Sequence, residues 1–304
     1  MSLQGSRFQL ADGHKIPAVA YGLGTAWFKY GRNDEDQRLV QTLQLALEKG
    51  FVHIDGAEIY NTDAELGAAI AGADRAKLYI TNKFLVGDAG HSVFSPHGLP
   101  YDSLKHQLAT QMKTGYVDLY LLHSPFVAKA AHGFDLAEAW RSMEKIVDEG
   151  LARSIGVSNF RVEDLQEILK IARIRPVVNQ IEYNALLQNQ TPGIVEFSQQ
   201  NGILVEAYSP LGPITKGPAG ELSDYLQQLA DTHHKTPAQV LLRWVLQRGI
   251  LPVTTSSKED RIVQFLDLFD FELSESEAQH ITVLGKKGPV LRQYWLAEFG
   301  KYDQ

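Results

Sequence analysis

Four residues that can take part in proton transfer lie at or just after the ends of three short apolar runs. Asp55 ends the run FVHID, Lys83 ends LYITNK and His123 ends VDLYLLH, while Tyr60 lies five residues after Asp55. In a barrel of parallel strands, the carboxyl ends of all the strands open into one mouth. A carboxylate, a phenol, an ammonium and an imidazole gathered there can move a proton onto or off a substrate oxygen.

Strand-length apolar runs alternate with helical patterns along the chain, which predicts repeated βα units and a parallel sheet. We therefore predict an α/β fold, a (β/α)8 TIM barrel that forms one domain over residues 1–304. The predicted barrel strands are Ala18–Leu23, Val52–Asp55, Leu78–Thr81, Val117–Leu122, Ser154–Val157, Val177–Ile181, Ile203–Ala207 and Leu251–Thr254.

Helix boundaries and two additions to the barrel are also indicated by the sequence. Helical patterns run from Asp34 to Lys49, from Asp135 to Glu149, and from Thr236 as N-cap to a glycine at 249. The segment 7–16, with Asp-Gly at its centre, predicts an N-terminal hairpin. The tail 286–304 belongs to no repeat, and we expect it to fold over the mouth.

The composition narrows the class of protein. The chain has 304 residues, no cysteine, 44% hydrophobic and 21% charged residues and a net charge of -7. No apolar stretch approaches the roughly 20 residues of a membrane span, and no block of basic residues suggests a nucleic-acid partner. The first residues lack the apolar core of a secretory signal. We expect a cytoplasmic monomer that acts on a small molecule, with no nucleic-acid or membrane partner.

Three stretches carry a family resemblance. Residues 50–67 (GFVHIDGAEIYNTDAELG) and 143–160 (MEKIVDEGLARSIGVSNF) are similar to two signatures of the aldo-keto reductases, and residues 251–261 (LPVTTSSKEDR) match a third more loosely. The chain resembles this family over nearly its whole length, and within it the fungal branch of conjugated polyketone and ketopantoyl lactone reductases. The resemblance implies NADPH-dependent reduction of ketones, aldehydes, dicarbonyls or keto-lactones to alcohols.

The resemblance gives each of the four residues a role. Tyr60 is expected to donate the proton, although an unperturbed phenol has a pKa near 10. The Lys83 ammonium about 4 Å away would favour the tyrosinate by roughly 4 kcal/mol at an effective dielectric of 20, which is about three pK units as an upper limit. Asp55 would hold and partly neutralise Lys83, and His123 would orient the carbonyl oxygen.

Cofactor residues are implied by the same resemblance. Ser158, Asn159 and Gln180 would bond the nicotinamide carboxamide, and Tyr208 would stack on the nicotinamide ring. Thr25 follows a Gly-Leu-Gly turn that is not a dinucleotide fingerprint. The remaining expected contacts to NADPH, besides Asp55, are Ser209, Leu211, Thr255, Ser256, Ser257, Lys258, Arg261 and Gln264.

The chain departs from the family pattern at both ends of the site. Thr255-Ser256 stands where many relatives have Lys-Ser, so we expect Lys258 and Arg261 to bind the 2′-phosphate and to favour NADPH by two to four powers of ten. Phe265 replaces a common Asn. The expected substrate pocket is Trp27, Ser124, Phe126 and Trp295, with Ser124 in place of a usual Trp and therefore with more room; Trp140 and Trp244 fall within helical patterns and are expected in the core.

Two other functions are compatible with a barrel. A metal-dependent hydrolase is disfavoured because no His-x-His ends a strand, and the adjacent His233 and His234 cannot share a metal on a helix. We therefore expect no metal site. A cofactor-bound sensor or interaction subunit with little turnover is the remaining alternative, since a reductase barrel can be used for binding.

Overall fold

Ten strands form in the part of the chain that the computed structural model describes, residues 6–29 and 31–303. Strands β1 (Arg7–Gln9) and β2 (Lys15–Pro17) pair antiparallel as the predicted hairpin. The other eight form a closed barrel of parallel strands, in which β10 pairs with both β9 and β3. They are β3 (Ala20–Gly22), β4 (His53–Asp55), β5 (Tyr79–Phe84), β6 (Val117–Leu122), β7 (Ala152–Ser158), β8 (Val178–Glu182), β9 (Leu204–Tyr208) and β10 (Leu251–Thr254).

Helices follow most barrel strands and cover the outside of the barrel, as in a (β/α)8 TIM barrel. They are α1 (Gln37–Lys49), α2 (Asp63–Ile70), α3 (Pro100–Gln107), α4 (Lys129–His132), α5 (Leu136–Asp148), α6 (Val162–Ile171), α7 (Ile194–Gln200), α8 (Gly212–Thr215), α9 (Glu221–His233), α10 (Pro237–Gln247), α11 (Glu259–Leu266), α12 (Glu275–Lys287) and α13 (Leu296–Phe299). None of the described helices is long and apolar enough to cross a membrane.

The predicted caps at Gly50 and Thr236 are confirmed, whereas α1 begins at Gln37, three residues after the predicted Asp34. Helix α1 begins after Asp36, whose side chain accepts from two backbone N–H groups of the first turn, and it ends at Gly50 with φ 117°. Helix α10 begins after Thr236, with a proline in its first turn. Trp140 on α5 and Trp244 on α10 are fully buried, as predicted.

Four of the eight barrel strands extend further toward the mouth than predicted, whereas β3 ends one residue earlier, at Gly22. Strand β5 continues to Phe84, so Lys83 lies within it, and β7, β8 and β9 each continue by one residue to Ser158, Glu182 and Tyr208. Polar residues remain in strand conformation there because they are buried and bonded to one another inside the barrel. The side chains of the candidate site are therefore held by the barrel sheet as well as by loops.

The floor of the barrel is closed by apolar side chains. Leu10 and Ile16 of the hairpin region pack with Tyr79, Leu119 and Leu251 near the beginnings of barrel strands. A larger cluster of buried apolar residues lies between the barrel and its helices. The end that remains polar is the one at which the strands finish.

Candidate active site

The four proton-transfer candidates lie on neighbouring strands at one end of the barrel. Asp55 is the last residue of β4, and Tyr60 ends the short 3-10 helix Glu58–Tyr60 that follows it. Lys83 lies on β5, and His123 directly follows β6. Since β4, β5 and β6 are hydrogen-bonded in that order, the structure brings the four residues together as the sequence predicts.

A buried ion pair forms the base of this site. The Lys83 Nζ lies 2.6 Å from Asp55 Oδ1 and donates to the Gly56 carbonyl oxygen at 2.8 Å. Both side chains are buried. Burial by itself would lower the pKa of Lys83, but the negative charge of Asp55 contributes most to outweighing it, and the pKa of Lys83 is raised. Lys83 is therefore an ammonium at neutral pH.

Tyr60 lies above this ammonium. The Lys83 Nζ is 5.2 Å from the centroid of the Tyr60 ring. Burial raises the pKa of Tyr60 and outweighs Lys83, which lowers it. Lys83 thus lowers the pKa of Tyr60, as expected. The expected net lowering of this pKa is wrong, because desolvation of the phenol raises the pKa by more than Lys83 lowers it. Tyr60 is protonated at neutral pH.

His123 completes the group as a neutral imidazole. Its ring meets the Tyr60 ring edge to face, with 5.8 Å between centroids. Burial, and then the charge of Lys83, lower the pKa of His123 to about 3. Two hydrogen bonds fix the backbone of His123. Its N–H donates to the Phe84 carbonyl oxygen, and its carbonyl oxygen accepts from the Asn159 side chain. His123 can orient a substrate oxygen without carrying a charge.

Gly24 is a residue of this site that the sequence reasoning missed. A Cβ atom at position 24 would lie 2.9 Å from the Tyr60 Cζ, which is too close for any other residue without movement of the phenol. The Gly-Leu-Gly turn was the available signal, and its second glycine serves close packing rather than phosphate binding.

Polar side chains continue from His123 across β7, β8 and β9. Asn159 donates to the His123 carbonyl oxygen, and its Oδ1 accepts from the Tyr208 hydroxyl at 2.8 Å and from Gln190 at 2.9 Å. Gln190, in the loop after β8, was not predicted. The Ser158 hydroxyl donates to the Gln180 carbonyl at 2.8 Å. Ser158, Asn159, Gln180 and Tyr208 therefore lie together, as the sequence predicts, along one side of the mouth.

The remaining predicted cofactor residues lie on the loops after three strands. Thr25 follows β3, and Ser209 and Leu211 follow β9. Thr255, Ser256 and Ser257 follow β10 and lead into α11, where the Lys258 N–H donates to the Ser256 hydroxyl. Lys258 and Arg261 are exposed, and neither side chain forms a hydrogen bond or an ion pair with the described residues. Gln264 is partly exposed on α11, whereas Phe265 is buried.

Trp27 was predicted to line the substrate pocket, but the structure places it elsewhere. Its side chain is buried in the core, and its indole N–H donates to the Thr255 hydroxyl at 3.1 Å. Arg38 covers its ring, 5.1 Å from the centroid. Trp27 therefore packs beside the loop after β10, and its buried side chain leaves little surface for a substrate.

Ser124 was also predicted to line the substrate pocket, but its side chain is not exposed there. It is fully buried, and its hydroxyl donates to the Gly87 carbonyl oxygen at 2.6 Å. Its side chain is thus occupied by the loop after β5 and presents no open surface to a substrate.

The C-terminal tail supplies aromatic groups at this edge. Trp295 packs 5.7 Å from Phe126 between ring centroids, and Phe299 lies 6.2 Å from both rings. Glu182, the last residue of β8, accepts from the backbone N–H groups of Gln293 and Tyr294 at 2.8 and 3.1 Å. The expected fold of the tail over the mouth is confirmed for its described residues, and Phe126 and Trp295 are brought together.

In the described parts of the chain, no three His, Cys, Asp or Glu residues lie close enough together to bind a metal ion. The His233 ring instead contacts Glu277 at 3.0 Å. The chemistry of the site is that of a phenol, a neutral imidazole and a buried ammonium–carboxylate pair.

Comparison with known proteins gives consistent matches. The Aldo/keto reductase family model matches residues 20–286. The chain is 46% identical over 313 residues to the NADPH-dependent alpha-keto amide reductase of Saccharomyces cerevisiae, covering 100% of this chain and 98% of that protein. It is 38% identical over 279 residues to the NAD/NADP-dependent indole-3-acetaldehyde reductase of Schizosaccharomyces pombe, covering 90% and 94%. A Bombyx mori aldo-keto reductase solved in complex with NADP superposes with a TM-score of 0.81 at 33% identity, over 100% of both chains.

Proposed function

Because the chain belongs to the aldo/keto reductase family, we propose that it is an NADPH-dependent reductase that converts ketones and aldehydes into alcohols at the mouth of its barrel. One observation carries the proposal: a protonated phenol lies above a buried ammonium–carboxylate pair and beside a neutral imidazole. This arrangement can give up one proton and stabilise the phenolate that remains.

The bound cofactor would supply the hydride, and the protein would supply orientation and the proton. The Tyr60 hydroxyl transfers its proton to the carbonyl oxygen as negative charge develops there. The Lys83 ammonium stabilises the resulting tyrosinate, and Asp55 keeps Lys83 charged and in place. The neutral His123 imidazole donates a hydrogen bond to the same oxygen, which directs the carbonyl toward Tyr60.

The residues present fit a nicotinamide dinucleotide. Asn159, Ser158 and Gln180 offer amide and hydroxyl groups beside His123, and Tyr208 offers an aromatic face at the partly exposed mouth. Lys258 and Arg261 are exposed cations on the start of α11, where backbone N–H groups also favour an anion. The smaller contacts expected from Thr25, Ser209, Leu211, Thr255, Ser256, Ser257 and Gln264 belong to the same proposal.

For the substrate, we propose α-keto carbonyl compounds, including keto amides and vicinal dicarbonyls. The names of relatives support this class: an alpha-keto amide reductase of Saccharomyces cerevisiae and a glyoxal reductase of Bacillus subtilis, the latter 34% identical over 271 residues. Phe126 and Trp295 provide an aromatic wall for such compounds.

A panel of purified carbonyl compounds, assayed with NADPH and with NADH, tests the proposal. The panel contains an α-keto amide, glyoxal, indole-3-acetaldehyde, a cyclic dicarbonyl and a simple aldehyde. We expect turnover with NADPH and the highest kcat/KM for an α-keto carbonyl. A correctly folded protein that binds NADPH but reduces none of the panel would overturn the enzymatic function and favour a sensor role.

We also propose that the enzyme acts as a single-domain monomer in the cytoplasm. The absence of cysteine in the sequence and the continuous core around one barrel support this proposal. Light scattering coupled to size exclusion tests the oligomeric state, with a mass near 33.9 kDa as the expected result.

A further inference from the structure

The barrel interior contains a second carboxyl group, Glu206, that the mechanism above does not use. Glu206 lies on β9 and is fully buried. Its Oε2 accepts a hydrogen bond from Gln180 Nε2 at 2.7 Å, and the same nitrogen donates to Asp55 Oδ2 at 2.8 Å. Glu206 is therefore joined through Gln180 to the carboxylate that holds Lys83.

These two contacts fix the orientation of the Gln180 amide. A side-chain amide has two N–H donors on its nitrogen and a carbonyl oxygen that only accepts. Both donors of Gln180 are used, one on Asp55 and one on Glu206. Rotation of the amide would turn its oxygen toward the charged Asp55 and leave the oxygens of Asp55 and Glu206 without this donor, which is unfavourable for buried groups. The Gln180 Oε1 is thus the atom that remains for another partner.

We propose that Glu206 is a positioning residue that, together with Asp55, fixes the Gln180 amide with its oxygen as the acceptor for the carboxamide N–H₂ of the cofactor. The inference rests on the proposed function, in which Gln180 contacts that carboxamide. It has a chemical consequence: the protein distinguishes a carboxamide from an acetyl group of nearly the same shape, because the acetyl group has no N–H to donate.

The strength of the hydrogen bond between Gln180 and Glu206 should depend on pH, because charged groups and burial shift the pKa of Glu206. Burial, and then the charge of Asp55, raise the pKa of Glu206 to about 8, while Gln180 and Lys83 oppose the shift. Tyr79, on β5, is a further titratable group near it. Below pH 8 Glu206 is neutral and a weaker acceptor, and above it the hydrogen bond from Gln180 is charge-assisted. The hydrogen bond from Gln180 to Glu206 therefore becomes stronger as the pH rises through about 8.

The test measures dissociation constants of NADP⁺ and of its 3-acetylpyridine analogue by tryptophan fluorescence. We expect wild type to bind NADP⁺ about tenfold more tightly, the equivalent of one hydrogen bond. In Glu206→Leu, Gln180 loses one acceptor, and the preference falls to about threefold or less. Glu206→Gln retains an acceptor oxygen and retains most of the preference. Glu144→Gln, which alters a buried carboxylate on the outer helix α5, is the matched control and changes nothing.

The outcomes separate this inference from the proposed function. A wild type that neither binds NADP⁺ nor reduces any carbonyl overturns the proposed function. A wild type that does both, but without a preference for NADP⁺ over the analogue or with the full preference kept in Glu206→Leu, overturns the role of Glu206 alone. If Glu206→Leu does not fold, the pH series decides: the preference should increase from pH 7 to 9 in wild type and stay constant in Glu206→Gln, and equal behaviour of the two contradicts the inference.

Discussion

The rings of Tyr208 and Tyr294 meet edge to face, with 5.7 Å between their centroids. Tyr208 is the residue proposed to stack on the nicotinamide, and Tyr294 belongs to the C-terminal tail. The backbone N–H of Tyr294 donates to Glu182 at the end of β8, and Tyr294 is 40% exposed. Tyr294 is thus a partly exposed ring of the tail that lies directly beside the residue proposed to stack on the nicotinamide.

Replacement of Tyr294 by alanine should change substrate preference more than cofactor binding. Loss of the ring widens the mouth, so kcat/KM for a bulky cyclic dicarbonyl relative to a small aldehyde should rise by about tenfold, the scale of a pocket contact. Leu296→Ala, on the same tail but 61% exposed, serves as the control and should leave the ratio unchanged. Equal effects on large and small substrates would show that Tyr294 does not border the substrate.

Tyr60→Phe should abolish most of the turnover without loss of cofactor binding. The phenylalanine keeps the ring over Gly24 but removes the only proton that the mechanism assigns to the substrate oxygen. We expect kcat to fall at least about a hundredfold, with the NADPH dissociation constant within about threefold of wild type. Tyr225→Phe, which removes a hydroxyl on the outer helix α9, is the control. Near-normal turnover in folded Tyr60→Phe would refute the assignment.

Lys83→Met should lower turnover and move the alkaline limb of the rate profile to higher pH. Lys83 lowers the pKa of Tyr60, so its removal raises that pKa further and makes the phenol a weaker acid at neutral pH. The profile of kcat/KM between about pH 6 and 11 measures the shift. Lys29→Met breaks another buried ion pair, with Glu65 at 2.7 Å, and controls for lost stability. An alkaline limb that moves to lower pH contradicts the role of Lys83.

Much of this site was predictable because its signals are local. The alternation of apolar runs and helical patterns predicts eight strands, and the carboxyl ends of parallel strands meet in any such barrel. That is enough to bring Asp55, Tyr60, Lys83 and His123 together. The end of β5 was placed too early because Asn82 and Lys83 are polar, and their burial depends on Asp63 of helix α2 and on Asp55 of strand β4.

The errors concern contacts between segments that are distant in the chain. Trp27 bonds to Thr255, and Ser124 bonds to Gly87, and neither pairing has a periodic or motif signal. The same holds for Gln180 on β8, whose two partners, Asp55 and Glu206, come from β4 and β9. Sequence patterns give the type of each element, whereas the distance between two loops is set by how all the elements pack.

His53→Gln should make stability less sensitive to acid. His53 is fully buried, and burial lowers its pKa to about 3, well below the unfolded value of about 6.5. The unfolded chain therefore binds this proton first, and wild type loses stability as the pH falls below about 6.5. Urea unfolding should show the advantage of wild type over the variant shrinking by about 1.4 kcal/mol per pH unit between roughly pH 6 and 4. An advantage that is constant with pH would contradict a buried neutral His53.

Preference for NADPH over NADH should depend on Lys258 and Arg261. The two cofactors differ only by the 2′-phosphate, and these exposed cations at the start of α11 form no side-chain hydrogen bond or ion pair within the described part of the chain. Two charge-assisted hydrogen bonds would give two to four powers of ten, but exposure to salt weakens both, so we expect about a hundredfold preference in dissociation constants at low salt. Arg261→Ala and Lys258→Ala should each weaken NADPH by about tenfold and leave NADH within about twofold, while Lys170→Ala, a surface cation on α6, changes neither. Equal affinity of wild type for the two cofactors would refute the assignment and leave Lys258 and Arg261 as solvated surface residues.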